Sequence, residues 1–183
     1  PLLLNYRLND LPVNRETRWC DRLERYQARR ARALTAPSRK MAEVAADWLG
    51  HGRTLTVVPN PIDTRCFSPD GPRAEHPPYL FFTGRLERRK GVHVLLQAFR
   101  WIHERHPELR LVLAGHDTPT FRLGGETLYF QEYARRTGLL AGLDGVVEFL
   151  GRMDRLDLPP WYRGSIACVF PSSNFENFPY TCL

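Results

Sequence analysis

The stretch Tyr79–Gly91, "YLFFTGRLERRKG", decides the fold. "YLFFT" does not alternate apolar with polar residues, so it reads as a strand buried on both faces, as in a parallel sheet. Gly84 lets the chain turn tightly, a short charged run follows, and a helix begins after Gly91. The apolar positions of that helix are Val92, Leu95, Leu96, Phe99 and Ile102, which fall on one face. Downstream the same rhythm recurs. "LRLVLAG" (109–115), "VVEFLG" (146–151) and "SIACVF" (165–170) read as three more strands. Between them, "TLYFQEYARRTGL" (127–139) reads as a helix ending near Gly138, and "DLPPWYRG" (157–164) as one helical turn. Four short apolar strands separated by helices predict an α/β fold with a parallel sheet covered on both faces.

Upstream the pattern is less regular. "LLLNYR" (2–7) reads as a strand, and Asn14 as the N-cap of a helix in which Trp19, Leu23 and Tyr26 share a face. Arg15, Arg18, Arg22, Arg25, Arg29 and Arg32 recur in steps of three and four and form a stripe beside the aromatic one. "ALTAPS" (33–38) predicts a strand, and "RKMAEVAADWLG" (39–50) a second helix with Ser38 as N-cap and Gly50 past its end. "TLTVVPNPID" (54–63) is a β-branched run stopped by Pro-Asn-Pro, which neither a helix nor a central strand tolerates. With "CFSPDGP" (66–72) behind it, this piece reads as a hinge. The predicted organisation is therefore residues 1–57 as the carboxyl end of one domain, 58–70 as the hinge and 71–183 as a Rossmann-like domain.

Composition narrows the class. The chain has 183 residues, 43% of them apolar and 25% charged, which is globular. No apolar run is long enough for a transmembrane helix. Cys20, Cys66, Cys168 and Cys182 are scattered without metal-ligand spacing and read as reduced thiols. The net charge of +6 is local: residues 15–40 carry nine basic and three acidic residues, while from Met41 onward the two signs balance. Either an exposed helix face, an anionic membrane surface or nucleic acid would account for that stripe. No nucleic-acid motif accompanies it, which disfavours the last.

Ligands of open parallel sheets bind beyond the carboxyl ends of the strands. Gly84, Arg85, Arg88, Arg89 and Lys90 follow the first strand; Arg85 can fork onto phosphate oxygens and Lys90 supplies a point charge near a helix start. A solvated basic loop is the alternative. Neither G-x-x-x-x-G-K-[ST] nor G-x-G-x-x-G is present. After the second strand, His116 and Asp117 read as loop polarity or as an acid/base pair. After the fourth, Glu176 is either a helix cap or a carboxylate that accepts hydroxyl hydrogen bonds, with Pro179 suited to the first turn of a following helix.

Taken in order, "VVPNPIDTRCFSP" (57–69), "YLFFTGRLERRKGVHVLLQAF" (79–99), "LVLAG" (111–115), "VVEFLGRM" (146–153) and "ACVFPSSNFENFP" (167–179) resemble a family 4 retaining glycosyltransferase of the GT-B fold. The resemblance implies that residues 71–183 form the nucleotide-sugar domain, incomplete, and that residues 1–57 end the acceptor-side domain. It implies diphosphate contacts from Gly84, Arg85 and Lys90, and a further contact near Gly115, where this chain has Gly-His-Asp in place of G-x-G-P. The base would lie near Gly151, Arg152 and Met153. Glu176 looks like the first carboxylate of a Glu-x7-Glu motif that grips donor hydroxyls, with the amides of Asn177, Phe178 and Pro179 facing the sugar and phosphate. The second carboxylate of that motif would fall one position beyond Leu183, so the chain is expected to be part of a longer enzyme and inactive alone. The implied reaction transfers a sugar from a nucleotide-diphosphate sugar to a saccharide or lipid-linked acceptor hydroxyl with retention, using no metal and no other cofactor. The implied location is cytoplasmic, with the Arg stripe offering peripheral contact at the inner face of a membrane. A GT-B-shaped sugar-nucleotide epimerase, a glycogen-type phosphorylase or synthase, and a basic binding module are the competing readings.

Overall fold

A computed structural model describes residues 15–50, 54–173, 176 and 179–182. The strand expected at residues 2–7 and the cap at Asn14 lie outside them. The chain divides into two compact units, residues 1–61 with 175–180, and residues 62–174 with 181–183.

In the first unit, α1 (Arg15–Arg30) is followed by β1 (Thr35–Ala36), α2 (Arg39–Leu49) and β2 (Thr56–Val57), and the two short strands pair in parallel. Ser38 caps α2 as its position predicts, its hydroxyl accepting from the Met41 N–H at 3.2 Å. Ala28 of α1 is buried against Met41, Ala45 and Leu49 of α2, Ala36 of β1, and Leu34 and Leu55 just before the two strands. The small residue lets the helices approach. Trp19, Leu23 and Tyr26 consequently face away, 65%, 54% and 55% exposed. Arg25 stacks over the Trp48 ring at 4.9 Å, and Arg30 lies over the Tyr26 ring and bonds its hydroxyl.

The second unit holds β3 (Tyr79–Thr83), α3 (Val92–His103), β4 (Arg110–Ala114), β5 (Phe121–Leu123), β6 (Glu126–Leu128), α4 (Phe130–Arg136), β7 (Val147–Gly151), α5 (Leu158–Gly164) and β8 (Ala167–Cys168). Strands β3, β4, β7 and β8 form one parallel sheet in the spatial order β7-β4-β3-β8. Counted by order of appearance that is 3-2-1-4, the first half of a doubly wound sheet. Alternate side chains feed two cores. Phe82, Leu111 and Leu113 pack with Leu95, Leu96 and Phe99 of α3 and Phe130 and Ala134 of α4. Tyr79, Phe81, Val112 and Ala114 meet Leu158, Trp161 and Tyr162 from α5 on the opposite face.

Two expectations need correction. The helix expected over 127–139 is shorter, because Thr127 and Leu128 belong to an antiparallel hairpin of β5 with β6. Gly124 and Gly125, at φ +58° and +88°, supply the two positive-φ positions that a tight hairpin demands. The piece 157–164 makes two turns of α-helix rather than one, with proline in its first turn where the missing N–H costs nothing.

Tyr79 gives the second unit a measurable pH signature. Its ring is fully buried and its hydroxyl donates to the Trp161 carbonyl at 2.7 Å. Burial, with the Cys168 thiol nearby, pushes the phenol up to about 12. Below pH 10 both folded and unfolded chains keep the phenolic proton; between 10 and 12 the unfolded chain releases it first, so stability falls by about 2–3 kcal/mol across that window. Tyr79→Phe should cost about 1 kcal/mol at pH 8, from the lost hydrogen bond, and should flatten the decline at high pH. Urea midpoints of both forms at pH 8 and pH 11 check this; an unchanged decline in the variant would assign it to other groups.

Candidate functional site

The sheet order creates the site. Strand β3 runs to β4 on one side and has β8 on the other, so the topological switch point, where sheets of this kind take ligands, falls at the carboxyl ends of β3 and β8. The loop 84–91 after β3 is held from both directions. On the β4 side its backbone continues the parallel pairing: Gly84 N–H donates to Ala114 O at 3.0 Å and Leu86 N–H to His116 O at 2.9 Å. A side chain at Gly115 would put its Cβ 1.7 Å from Gly84 O, so the two loops touch backbone to backbone. The Thr118 hydroxyl donates to Leu86 O at 3.3 Å, and Arg88 N–H to the Thr120 hydroxyl at 3.2 Å. On the β8 side, Arg89 O accepts from both the N–H (3.1 Å) and the hydroxyl (3.3 Å) of Ser173. A Cβ at Gly91 would lie 1.9 Å from Pro171 O.

Within this frame residues 88–90 make a single 3-10 turn, Gly91 takes the left-handed conformation (φ +69°), and α3 starts. The first turn of a helix of this length presents amide N–H groups without intrahelical acceptors, at the positive end of its dipole. Lys90 is half-buried next to that start, and Arg85 is exposed at the carboxyl end of β3. Gly115 and Gly151 join the same edge, Gly115 N–H donating to Gly151 O at 2.7 Å. The structure thus brings Gly84, Arg85, Lys90, Gly115 and Gly151 onto adjoining loops of one sheet edge. Arg152 is exposed there, while Met153 packs against the core under β3 and β4. Glu176 is half-buried and Pro179 exposed on the segment 175–180, which groups with the first unit; Asn177 and Phe178 lie outside the described residues. Past Pro179 the chain makes a 3-10 turn at Tyr180–Cys182.

Several residues escape a reading by motif. Glu87 sits between the basic residues of the loop with its side chain only 6% exposed, and its Oε1 lies 3.2 Å from Arg85 Nη2 and 3.1 Å from Arg89 Nη2. The alternation R-x-E-x-R was the available signal. Asp117, for which the sequence leaves loop polarity or half of an acid/base pair open, has both oxygens engaged by the start of α4: Phe130 N–H donates to one at 2.7 Å and Gln131 N–H to the other at 3.1 Å. It caps a helix thirteen residues away, and His116 beside it is exposed. Thr83, buried at the end of β3, shares a hydrogen bond with the Tyr162 hydroxyl. Burial pushes Tyr162 and Cys168 up from their ordinary ranges, against the opposing hydrogen bonds from Thr83 and Ser165. Cys168 is therefore a protonated thiol at neutral pH, which does not suit a nucleophile. Among the described residues no three His, Cys, Asp or Glu side chains cluster as metal ligands.

Known proteins carry the same pieces. The family described as Glycosyl transferases group 1 matches residues 65–183, more than half of the chain, and Glycosyltransferase Family 4 matches residues 3–65. D-inositol 3-phosphate glycosyltransferase 2 of Catenulispora acidiphila is 34% identical over 131 residues, 66% of this chain and 30% of that protein. The glycogen synthase of Mycobacterium tuberculosis is 28% identical over 88% of this chain and 36% of its own length. The chain thus spans about a third of the length of these curated relatives. Among solved structures, Anabaena Alr3699/HepE, in complex with UDP and glucose, superimposes with a TM-score of 0.65 at 20% identity, covering 87% of this chain and 43% of that one. The C-terminal domain of the group 1 protein LpcC from Francisella tularensis gives 0.51 at 24% identity, covering 67% and 64%. These likenesses agree with the 3-2-1-4 sheet in fixing a GT-B type fold. With the family match spanning the whole second unit's sheet and the loops at its carboxyl edge, this chain belongs to the group 1, family 4 glycosyltransferases.

Proposed function

We propose that this chain supplies the donor-binding part of an enzyme that transfers a sugar from a nucleotide-diphosphate sugar to an acceptor hydroxyl, with retention and without a metal. The observation that carries the reading is the loop 84–91: a basic segment at the carboxyl end of the first strand, braced by backbone contacts to the loops after β4 and β8 and leading into α3. Residues 58–70 serve as the hinge between the acceptor-side residues 1–57 and the donor-side residues 71–183.

The chemistry follows from the leaving group. Negative charge grows on the diphosphate as the glycosidic bond breaks, and donors fixed in place stabilise it without reorganising. Arg85 offers a planar fork to phosphate oxygens, Lys90 a compact charge, and the start of α3 a set of oriented amides. Together they do what a bound divalent cation would otherwise do. Glu176 orients the sugar through its hydroxyls and is not the nucleophile. Gly151 and Arg152 border the place for the base, and the backbone N–H groups of Asn177 and Phe178 serve the sugar, with Pro179, which has no N–H to offer, following them. The test is a panel of UDP-, GDP- and ADP-sugars offered to the complete protein by thermal shift, followed by NMR of the product anomer and turnover in EDTA. No stabilisation by any donor would end the reading; an inverted product or loss of turnover in EDTA would end its finer parts.

A second, peripheral role is favoured by α1. Exposed Trp19, Leu23 and Tyr26 beside exposed Arg22, Arg25 and Arg29 match a helix lying at an anionic membrane surface. Such attachment fits a cytoplasmic enzyme acting on a lipid-linked acceptor; no helix among the described residues is long and apolar enough to cross a membrane. Sedimentation with phosphatidylglycerol vesicles should pull the protein down at low salt and release it at high salt, and Trp19→Ala with Leu23→Ala should weaken both. Absence of sedimentation at low salt removes the role.

A further inference from the structure

Glu87 is the residue of the loop whose presence the donor reading leaves unexplained. A carboxylate among cations that await a diphosphate lowers the local positive charge and so opposes anion binding in the Coulombic sense. It is also buried, at a desolvation cost that an apolar residue of similar size would not carry. Stability does not account for it, since buried ion pairs are often no better than apolar packing. Nor does it cap its own 3-10 turn: the backbone there is extended and the side chain makes no capping bond. What it does is hold two guanidinium groups with one oxygen. Arg89 is fixed through its backbone to Ser173, and Arg85 is otherwise a long, 56% exposed side chain at the carboxyl end of β3.

We propose that Glu87 is a positioning residue for the diphosphate site, its buried carboxylate anchoring the Arg85 guanidinium at the carboxyl end of β3; the proposal rests on the donor reading above. The geometry decides which of two opposing effects dominates. One edge of the Arg85 fork faces Glu87 through Nη2, and a guanidinium carries five N–H donors, so the remaining ones stay available to a phosphate. Without Glu87 the Arg85 side chain samples many rotamers, and the diphosphate must freeze them on binding. The gained unit of net positive charge acts in a solvent-screened setting at Arg85 and offsets only part of that loss.

The experiment is a double-mutant cycle in the complete protein, read as affinity for whichever of UDP, GDP or ADP the wild type binds. Glu87→Ala should weaken nucleotide binding about five- to tenfold, the size of losing one pre-ordered side chain. In an Arg85→Ala background the same change should have little further effect, because nothing remains to be positioned. Glu87→Gln keeps the volume and an acceptor oxygen, guards against failure to fold, and should show a smaller loss that likewise vanishes in the Arg85→Ala background. Equal or tighter binding by the Glu87 variants, or losses that simply add to that of Arg85→Ala, would overturn the proposal and leave the donor reading intact. A wild-type protein that binds none of the three nucleotides overturns both.

Discussion

Gly91→Ala should cost about 3–5 kcal/mol of unfolding free energy, the largest stability loss expected from a single methyl group in the second unit. Two penalties meet there. The backbone is left-handed at φ +69°, which charges an alanine about 1 kcal/mol or a little more. The added Cβ would also lie 1.9 Å from the carbonyl oxygen of Pro171, and a backbone atom has no rotamer by which to withdraw. Two other glycines separate the terms. Gly138 has nearly the same φ, +71°, with nothing within 4 Å of its Cβ position, so Gly138→Ala isolates the dihedral cost at about 1 kcal/mol. Gly115 lies outside the left-handed region and would meet Gly84 O at 1.7 Å, so Gly115→Ala isolates the clash, at about 2–4 kcal/mol. Denaturant midpoints of the three variants should therefore rank Gly138 mildest and Gly91 most severe. Equal losses for Gly91 and Gly138 would mean that the loops after β3 and β8 do not touch, and the braced frame of the site would fall with that contact.

Those contacts also mark the boundary between what the sequence discloses and what it hides. The four strands of the parallel sheet were legible because each is a short, largely apolar run between turn residues; β3 and β4 are buried on both faces, whereas β7 and β8, at the two edges, are only partly buried. The Ser38 cap was legible because capping joins residues three apart. Arg85 and Lys90 could be placed at the sheet edge once their loop was known to follow a strand. Glu87 was hidden for a different reason: in a run of charges every member looks solvated, and only the folded loop shows that the acid is inside and the arginines outside. The role of Asp117 stays open in the sequence because its partners, the amides of Phe130 and Gln131, lie across a hairpin that a helical reading of 127–139 leaves out. The aromatic face of α1 shows the limit of periodicity itself. Spacing places Trp19, Leu23 and Tyr26 on one side, yet says nothing of whether that side meets the core; Ala28 does so instead, since close approach to α2 favours the smaller residue.

Lys90→Ala in the complete enzyme should lower kcat/KM by about 2–4 kcal/mol of transition-state stabilisation, or roughly 30- to 900-fold, the size of losing one donor aimed at a developing oxyanion. Most of the loss should appear in kcat. The diphosphate in bound donor already carries charge, but the bridging oxygen gains more as the bond to the anomeric carbon breaks, and an interaction that strengthens along the reaction is read in kcat rather than KM. The side chain is half-buried on the last residue of the 3-10 turn, one position before the glycine that opens α3. Burial matters because the same charge in open solvent would be screened and worth little. Lys90→Arg should recover only part of the rate: the charge returns, but a planar fork does not occupy the position of a compact ammonium. Neither substitution removes a backbone contact of the turn, since these run through Glu87 O, Arg88 O and Arg89 O. Near-normal turnover in Lys90→Ala, with folding intact, would separate the loop from the leaving group and return it to the status of a solvated basic turn.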